Sequence, residues 1–469
     1  MLSDKAVKDI FFELEKDDQI LSYNIRELPL YFILRFHLEM DYRYYFENPY
    51  YSRKNIIQSL KIKIRKLGDQ ILSIPKYRRR NGIINSDGLS NIKPGNILFV
   101  ASSPLTRNAG ELVDLYDIIQ YYHSKGEVIN FVFPGGDSEV NKQSYHTGFY
   151  SFSNNEVVKI NNEEKKIIKE CISRVSFILK VDLRPLVNSY IKYIGRTISL
   201  CDRLQKIIIS SKAKYVMARS IYTEQWISLA CRKTNAKCIE VQHGVVAEDN
   251  IYYQTANLLN VKERKLLFPE FILTLGDEWT KLLIHQKSGY DSNNTFTLGV
   301  KEELKKKVHS NGETFNVLIC LQHGIYSDFE ENVLNNFFNS YKKNLANEKI
   351  NIFIRPHPRL TSFVKFDHII DSNVKIQYPS EIKFSESLKS CDVLIGIISM
   401  SLYEAIARGI PTAAFEIFSG LTMRNGLKHL NDVEDVWTFI LQVKSGYYKQ
   451  EQIPYLSPFN TAILDKFIL

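Results

Sequence analysis

The chain has 469 residues, of which 44% are hydrophobic and 24% charged, and its formal net charge is +9. This length indicates two or three domains, and the composition excludes a disordered or fibrous protein. No signal peptide begins the chain, and no run approaches the roughly 18 apolar residues of a spanning helix, so we expect a cytoplasmic protein. The positive charge favours an anionic partner, which can be nucleic acid, an anionic membrane surface or a phosphorylated substrate.

Residues 1–90 are predicted to form a helical, basic N-terminal segment. Ten basic side chains and one acidic side chain occur between 51 and 80. Apolar residues recur at helical spacing between 60 and 71, with basic residues between them. Such a helix can rest on the inner face of an anionic membrane, or it can pack into the core with a solvated basic face. Both interpretations stay open.

From residue 91 to 310 short apolar runs alternate with helical ones, which predicts a first Rossmann-like domain. Helices are expected over 110–123 and 223–232. Strands separated by helices imply a parallel sheet with crossover helices. The predicted strands are Ile97–Ala101, Val128–Phe133, Lys214–Ala218, Lys237–Val241, Phe271–Leu275 and Thr295–Leu298.

A polar run over 301–314 is predicted to be a linker, and 311–469 to be a second Rossmann-like domain. Two doubly wound α/β halves would face a cleft, with ligands outside the carboxyl ends of their strands. Residues that directly follow strands are therefore the candidates for chemistry. The predicted strands of this half are Phe315–Leu321, Ile350–Ile354, Val374–Ile376, Asp392–Gly396 and Thr412–Phe415.

The six cysteines contain no C-x-x-C pair, which argues against a disulfide framework or a zinc site and fits a reducing cytoplasm. They are Cys171, Cys201, Cys231, Cys238, Cys320 and Cys391.

The first candidate turn is Gln242-His243-Gly244, which follows a strand of the first half. An imidazole titrates near neutrality, so His243 can accept a hydroxyl proton as a general base. Glu248 follows closely and is the rival base. The alternative is a histidine that only satisfies a turn.

Gln322-His323-Gly324 follows the first strand of the second half. This is the usual position for a backbone turn that approaches a phosphate. A purely structural turn is an equally good interpretation of these three residues.

The third turn is Arg355-Pro356-His357-Pro358-Arg359. Its two prolines fix the backbone and leave cationic and donor groups on a rigid loop. Such groups beside a strand end suit the phosphate or the pyrimidine of a nucleotide. We therefore favour a ligand contact over a plain proline-rich turn.

The fourth turn joins the apolar run 393–398 to Ser399-Met400-Ser401 and a helix that bears Glu404. A helix N-terminus offers free N–H groups and partial positive charge to an anion, and the two serines add hydroxyl donors. Glu404 can accept from ribose hydroxyls. The alternative is ordinary capping of the helix by serine.

Three of these turns, taken in order, resemble motifs of bacterial GT-B transferases. They are Gln-His-Gly at 242–244, Arg-Pro-His-Pro at 355–358 and Ser-x-Ser at 399–401. The resemblance covers 214–415 and points to enzymes of capsule, lipopolysaccharide and O-antigen synthesis. It is strongest for sialyltransferases and polysialyltransferases with a His-Pro and a Ser motif, which bind CMP. Kdo and glycerophosphate transferases share similar motifs. The resemblance implies a GT-B fold with an acceptor domain, a donor domain and a helical N-terminal extension.

The resemblance further implies an inverting transfer of sialic acid or a related acidic sugar from a CMP-activated donor. The acceptor would be a surface polysaccharide, a lipooligosaccharide or another lipid-linked glycan. In those families the His-Pro histidine and the Ser motif hold the nucleotide, which carries over to His357, Ser399 and Ser401. Sialyltransferases usually have an acidic base where this chain has Gln242-His243-Gly244, a motif closer to that of the glycerophosphate transferases.

Other functions stay open. A UDP-sugar or CDP-glycerol transferase would keep the fold, and a non-catalytic polysaccharide assembly protein would keep it without transfer. No Asp-x-Asp occurs on a suitable loop, so the sequence requires no metal, and it calls for no cofactor. Nucleic acid is the poorest partner because no recognised motif accompanies the basic stretch.

Overall fold

The computed structural model describes most of the chain. Glu248, His323, Gly324, Pro358 and the basic stretch predicted between 51 and 80 lie outside the described residues. The described residues are 4–47, 94–100, 115–134, 148–152, 157–219, 221–246, 251–256, 259, 263–264, 266, 268–286, 289–301, 314–322, 327–357, 372–397, 399–415 and 426–468.

The described N-terminal residues, 4–47, are mainly helical, as predicted. The two short strands of this region form a hairpin because Arg26 and Glu27 take positive φ values of 49° and 65°, which suit a two-residue turn. Buried apolar side chains of its helices share one hydrophobic core with the sheet that follows. The region is therefore packed into the fold. Its elements are α1 (Asp4–Leu14), α2 (Asp18–Ser22), β1 (Asn24–Ile25), β2 (Leu28–Pro29) and α3 (Leu30–Glu47).

Seven parallel strands among the described residues form the first sheet, which confirms the predicted doubly wound architecture. The strands are β3 (Ile97–Val100), β4 (Ile129–Pro134), β5 (Gly148–Phe152), β6 (Tyr215–Arg219), β7 (Lys237–Val241), β8 (Phe271–Thr274) and β9 (Thr295–Thr297). Their order across the sheet is β5-β4-β3-β6-β7-β8-β9. The helices are α4 (Leu115–Ser124), α5 (Asn162–Leu179), α6 (Val187–Ser211), α7 (Trp226–Thr234) and α8 (Asp277–His285). The sequence did not predict β5, α5, α6 and α8.

A second parallel sheet follows, again as predicted, with the order β12-β11-β10-β13-β14-β15. Its strands are β10 (Phe315–Cys320), β11 (Ile350–Arg355), β12 (Val374–Ile376), β13 (Val393–Gly396), β14 (Thr412–Phe415) and β15 (Lys428–Leu430). Its helices are α9 (Ser327–Asn347), α10 (Phe384–Ser390), α11 (Met400–Ala407) and α12 (Val433–Lys444). Two parallel α/β sheets with a helical N-terminal region make the fold one of the GT-B type.

The end of the chain returns to the first sheet. After the second sheet is complete, α13 (Thr461–Asp465) lies against α4, where Tyr122 donates to the carbonyl of Leu464 at 3.0 Å. The ring of Phe467 contacts the ring of Tyr215 in β6, with centroids 5.3 Å apart. The predicted division at 90 and 310 stays a prediction, but the last residues pack with the first sheet.

A substitution at Gly299 tests whether the C-terminal segment packs against the first sheet. Its φ is +77°, and a Cβ there would overlap the carbonyl oxygens of Ser457 and Pro458. Gly126 has a similar φ of +78° with nothing within 4 Å of a Cβ, so it is the matched control. Gly299→Ala should lower the free energy of unfolding by about 1–3 kcal/mol more than Gly126→Ala, the usual cost of overpacking. Urea unfolding measures both, and equal losses would mean that the C-terminal segment does not pack there.

The described residues contain no helix that is both long and apolar enough to cross a membrane. All six cysteines are buried free thiols.

Candidate functional site

The second sheet reverses its winding at β10. The strands β11 and β12 lie on one side of β10, and β13, β14 and β15 lie on the other. In open parallel sheets a ligand crevice forms outside the carboxyl end of the strand where the order reverses. The residues that end β10, β11 and β13 therefore meet at the expected ligand edge.

Arg355 ends β11, inside the strand rather than on the loop after it, and it pairs in register with Cys320 of β10. Its side chain is only 5% exposed. Its Nη1 donates to Ser387 Oγ at 3.2 Å, and its guanidinium lies 5.6 Å from the ring centroid of Phe384. Burial lowers the pKa of Arg355, and the nearby Cys320 and Glu404 offset only part of this fall. The cation is thus fixed in place beneath the edge of the sheet.

The start of α11 lies close to the end of β10. Burial raises the pKa of the Cys320 thiol to about 12, and Arg355, Ser401 and Glu404 all lie near enough to affect it. The Ser401 hydroxyl is buried without a hydrogen-bond partner of standard geometry in the described part of the chain. The structure therefore brings together Arg355, Ser401 and Glu404, three of the predicted donor-site residues.

Gly396 allows this close approach. A Cβ at Gly396 would lie 3.2 Å from Leu402 of α11 and 3.4 Å from the carbonyl oxygen of Cys320. Such distances are tighter than most Cβ contacts, so with a larger residue the Leu402 side chain would have to shift by a few tenths of an ångström. The glycine lets the helix begin directly above the switch point.

Ser399 caps α11. Its Oγ accepts from the backbone N–H of Ser401 at 3.3 Å, and its backbone is extended, as at most N-caps. The capping alternative is therefore correct for Ser399. Capping uses the hydroxyl as an acceptor, so its proton remains available to a ligand.

Two more predicted residues follow strands at this edge. Gln322 and His357 are both half-buried, one after β10 and the other after β11. Leu321 donates from its backbone to the carbonyl of Arg355 at 2.9 Å, which keeps the two strand ends side by side.

The carboxylate of Glu404 already lies near a cation of this chain. The residue is 4% exposed, and its Oε2 lies 3.7 Å from Nη1 of Arg408, the residue directly after α11. Its suggested contact with ribose hydroxyls stays a prediction.

On the first sheet, Gln242 fixes the turn after β7. Its Oε1 accepts from the backbone of Leu275 at 2.9 Å, and its Nε2 donates to the carbonyl of Gly244 at 2.8 Å. The side chain is 1% exposed. Sequence reasoning treated Gln242 as part of a motif and missed this structural role, because the bond to Leu275 joins two strands that are far apart in sequence.

His243 is exposed at the carboxyl edge of the first sheet. The backbone of Gly244 lies outside the left-handed region, and a Cβ there would have nothing within 4 Å. The turn therefore needs no glycine for its conformation, and the space around Gly244 is open.

Sequence reasoning also missed Ser387 and Phe384 of α10, which hold Arg355, since nothing in their spacing links them to β11. Within the described ranges, no group of three or more His, Cys, Asp or Glu side chains is arranged to hold a metal ion.

No family model matches the chain, and no curated protein matches it either. Similar solved structures include the UDP-GlcNAc 2-epimerase from Methanocaldococcus jannaschii, with 12% identity, a TM-score of 0.48 and coverage of 79% of this chain and 98% of that chain. Another is the lipopolysaccharide outer core galactosyltransferase WaaB in its apo form, with 12% identity, a TM-score of 0.42 and coverage of 79% and 99%. A third is the spinosyn rhamnosyltransferase SpnG complexed with thymidine diphosphate, with 11% identity, a TM-score of 0.43 and coverage of 74% and 91%.

Proposed function

We propose that the chain is a glycosyltransferase that uses a nucleotide-activated sugar. The observation that carries this proposal is the meeting of Arg355, Ser401 and Glu404 at the switch point of the second sheet, under the capped start of α11. A buried cation, serine hydroxyls and a helix N-terminus at one sheet edge form a suitable environment for a phosphate.

The donor nucleotide lies, in this proposal, along the ends of β10, β11 and β13. The departing phosphate gains negative charge as the glycosidic bond breaks, so groups already oriented toward it lower the barrier. Ser399 and the N–H groups of α11 supply donors, and Arg355 supplies fixed positive charge. His357 and Gln322, which follow neighbouring strands, contact the nucleotide.

The acceptor hydroxyl lies on the side of the first sheet. A hydroxyl is a poor nucleophile until its proton is accepted, and His243 is the exposed group that can accept it. The space beside Gly244 gives the acceptor room. The proton passes from the hydroxyl to the imidazole while the hydroxyl oxygen displaces the nucleotide from the sugar.

The motif resemblance favours a CMP-activated acidic sugar as donor and a bacterial surface glycan or lipid-linked glycan as acceptor. UDP-sugar and CDP-glycerol transfer are the alternatives on the same fold. Incubation of the protein with CMP-sialic acid, UDP-sugars and CDP-glycerol, followed by measurement of released nucleotide, separates these functions. Release from one donor class supports transfer and identifies the donor. Nucleotide binding without release from any donor would favour a non-catalytic assembly protein.

We further propose peripheral binding to anionic membranes through the basic stretch between 51 and 80. Removal of all residues before 91 is a poor test, because α1 and α3 are packed into the core. Charge reversal of Lys61, Lys63, Arg65 and Lys66 to glutamate is a sharper one. Flotation with phosphatidylserine vesicles should show binding that fades with salt and is lost in the variant. Equal binding to phosphatidylcholine vesicles would contradict this proposal.

A further inference from the structure

A second group of side chains lies at the carboxyl edge of the first sheet, beside the end of β6. Tyr222 follows β6 and stacks on Tyr252, with ring centroids 4.4 Å apart and an interplanar angle of 10°. Phe36 of α3 contacts both rings at centroid distances of 6.1 and 5.5 Å. All three side chains are half-buried, so part of their surface reaches solvent. We call Phe36, Tyr222 and Tyr252 the aromatic wall.

Hydrogen bonds fix the backbone segments that carry the aromatic wall. The backbone N–H of Ile221 and the hydroxyl of Tyr253 both donate to the buried Glu240 of β7, the hydroxyl at 3.2 Å. Nη2 of Arg35, the residue before Phe36, donates to the carbonyl of Gln254 at 2.8 Å. These bonds tie α3, the turn after β6 and the segment after β7 to one another. The rings are therefore oriented before any ligand arrives.

Two polar side chains, Glu224 and His37, are close in sequence to members of the wall, and both lie near Arg196. Glu224, two residues after Tyr222, is half-buried, and its carboxyl accepts no hydrogen bond within the described part of the chain. Burial raises the pKa of Glu224, and the nearby Arg196 of α6 offsets only part of this rise. The rings of His37 and Tyr193 have centroids 3.9 Å apart and are tilted by 58°, and burial with nearby Arg196 lowers the pKa of His37 to about 4. The imidazole is thus uncharged near neutral pH.

An apolar ring surface next to a carboxylate and a few polar groups matches the chemistry of a sugar. A pyranose presents a face of C–H groups that packs on aromatic rings, and hydroxyls at its rim that donate to carboxylates. The turn after β6 and His243 share one sheet edge, because Arg219 and Val241 pair in register at the ends of β6 and β7. A sugar on the wall would therefore lie on the side of the sheet where the candidate base is exposed.

We propose that the aromatic wall and Glu224 form a subsite for the acceptor sugar, and that the helical N-terminal region builds part of it through Phe36. This inference rests on the proposed transferase function. It gives the N-terminal helices a role in acceptor binding, separate from any contact of the basic stretch with a membrane. Glu224 accepts hydroxyl hydrogen bonds in this subsite, while proton removal stays with His243.

Saturation-transfer NMR of the full chain with methyl β-D-galactoside, methyl β-D-glucoside and methyl N-acetyl-β-D-glucosaminide tests the subsite directly. At least one glycoside should bind the wild type. Phe36→Ala and Tyr222→Ala should weaken that binding at least about threefold, as expected for the loss of an aromatic contact. Glu224→Gln, which keeps the shape of a half-exposed side chain and does not threaten the fold, should weaken it about fivefold or more.

Tyr341→Ala is the matched control. Tyr341 stacks on Trp437 beside the second sheet, with centroids 5.0 Å apart and an interplanar angle of 13°, and both rings are half-buried. It should leave glycoside binding unchanged. Absence of binding to the wild type, unchanged binding in Glu224→Gln and Tyr222→Ala, or an equal loss in Tyr341→Ala would overturn the subsite.

A nucleotide titration of the same samples separates the two proposals. Nucleotide binding without glycoside binding would overturn the acceptor subsite and leave the transferase proposal standing. Glycoside binding without nucleotide binding would support the sugar subsite and overturn the transferase.

Discussion

His243→Ala is expected to lower kcat by about 100- to 10,000-fold, the usual contribution of a positioned general base. The side chain is exposed at the sheet edge, and Gln242 holds the turn through its own bonds to Leu275 and Gly244. The substitution should therefore leave the fold intact and the affinity for the nucleotide nearly unchanged. Steady-state nucleotide release with the donor identified above measures the rate.

Two further variants decide the role of His243. His243→Asn keeps a hydrogen-bonding group but cannot act as a base near neutrality, so it should be about as slow as the alanine variant. Glu248→Gln removes the rival carboxylate and should retain most of the activity. If Glu248→Gln abolishes transfer while both His243 variants remain active, the chain uses an acidic base, as the sialyltransferases do.

Glu15→Ala is expected to cause the largest loss of stability. Glu15 is 1% exposed, and its Oε1 accepts from Arg35 Nε at 2.8 Å and from the Tyr31 hydroxyl at 3.1 Å. Its Oε2 accepts from the backbone of Ala256 at 2.6 Å. Removal of one partner leaves a buried, uncompensated charge on Arg35, which typically costs about 3–5 kcal/mol. The midpoint of urea unfolding measures the effect.

A graded series keeps this prediction testable if Glu15→Ala accumulates poorly. Tyr31→Phe removes one hydrogen bond to the same carboxylate and should cost roughly 1 kcal/mol. Lys16→Ala breaks an exposed ion pair with Glu13 at the end of α1 and should cost less than about 1 kcal/mol. If Glu15→Ala is no more destabilising than Lys16→Ala, the N-terminal helices are not anchored as described.

Every interior strand of the two parallel sheets was predicted, together with the edge strands Thr295–Thr297 and Val374–Ile376. Runs such as Ile97–Val100 and Val393–Gly396 are apolar on both faces because helices cover both sides of a parallel sheet. Sequence reasoning missed both strands of the N-terminal hairpin and two edge strands of the parallel sheets, Gly148–Phe152 and Lys428–Leu430. Edge strands are partly solvated, so polar residues interrupt their apolar runs.

The missed helix Asn162–Leu179 carried a usable pattern. Asn161 accepts from the backbone of Glu164, and the Glu164 side chain accepts from the backbone of Asn161, which completes a capping box. An Asn followed three residues later by Glu before an apolar run is a recognised helix start. The interactions of Glu164 with the distant Arg26 could not be predicted, because they depend on tertiary packing.

The candidate site shows the same limit. The loop with His357 and the serines at the start of α11 were chosen as candidates because they follow strands in a regular series. The burial of Arg355 against Phe384 and Ser387 depends on how α10 packs, which the local sequence does not encode. The aromatic wall was missed for the same reason, since Phe36 and Tyr252 are far apart in the chain.

Isothermal titration of the wild type and His357→Ala with CMP, UMP and UDP tests the central claim most directly, since the claim is that the carboxyl edge of the second sheet binds a nucleotide. His357 follows β11 on the proline-flanked loop and is half-buried at this edge. At least one nucleotide should bind the wild type, and His357→Ala should weaken that binding about tenfold or more, which corresponds to roughly 1.4 kcal/mol. Absence of binding by all three nucleotides, or unchanged affinity in a folded His357→Ala protein, would contradict the account.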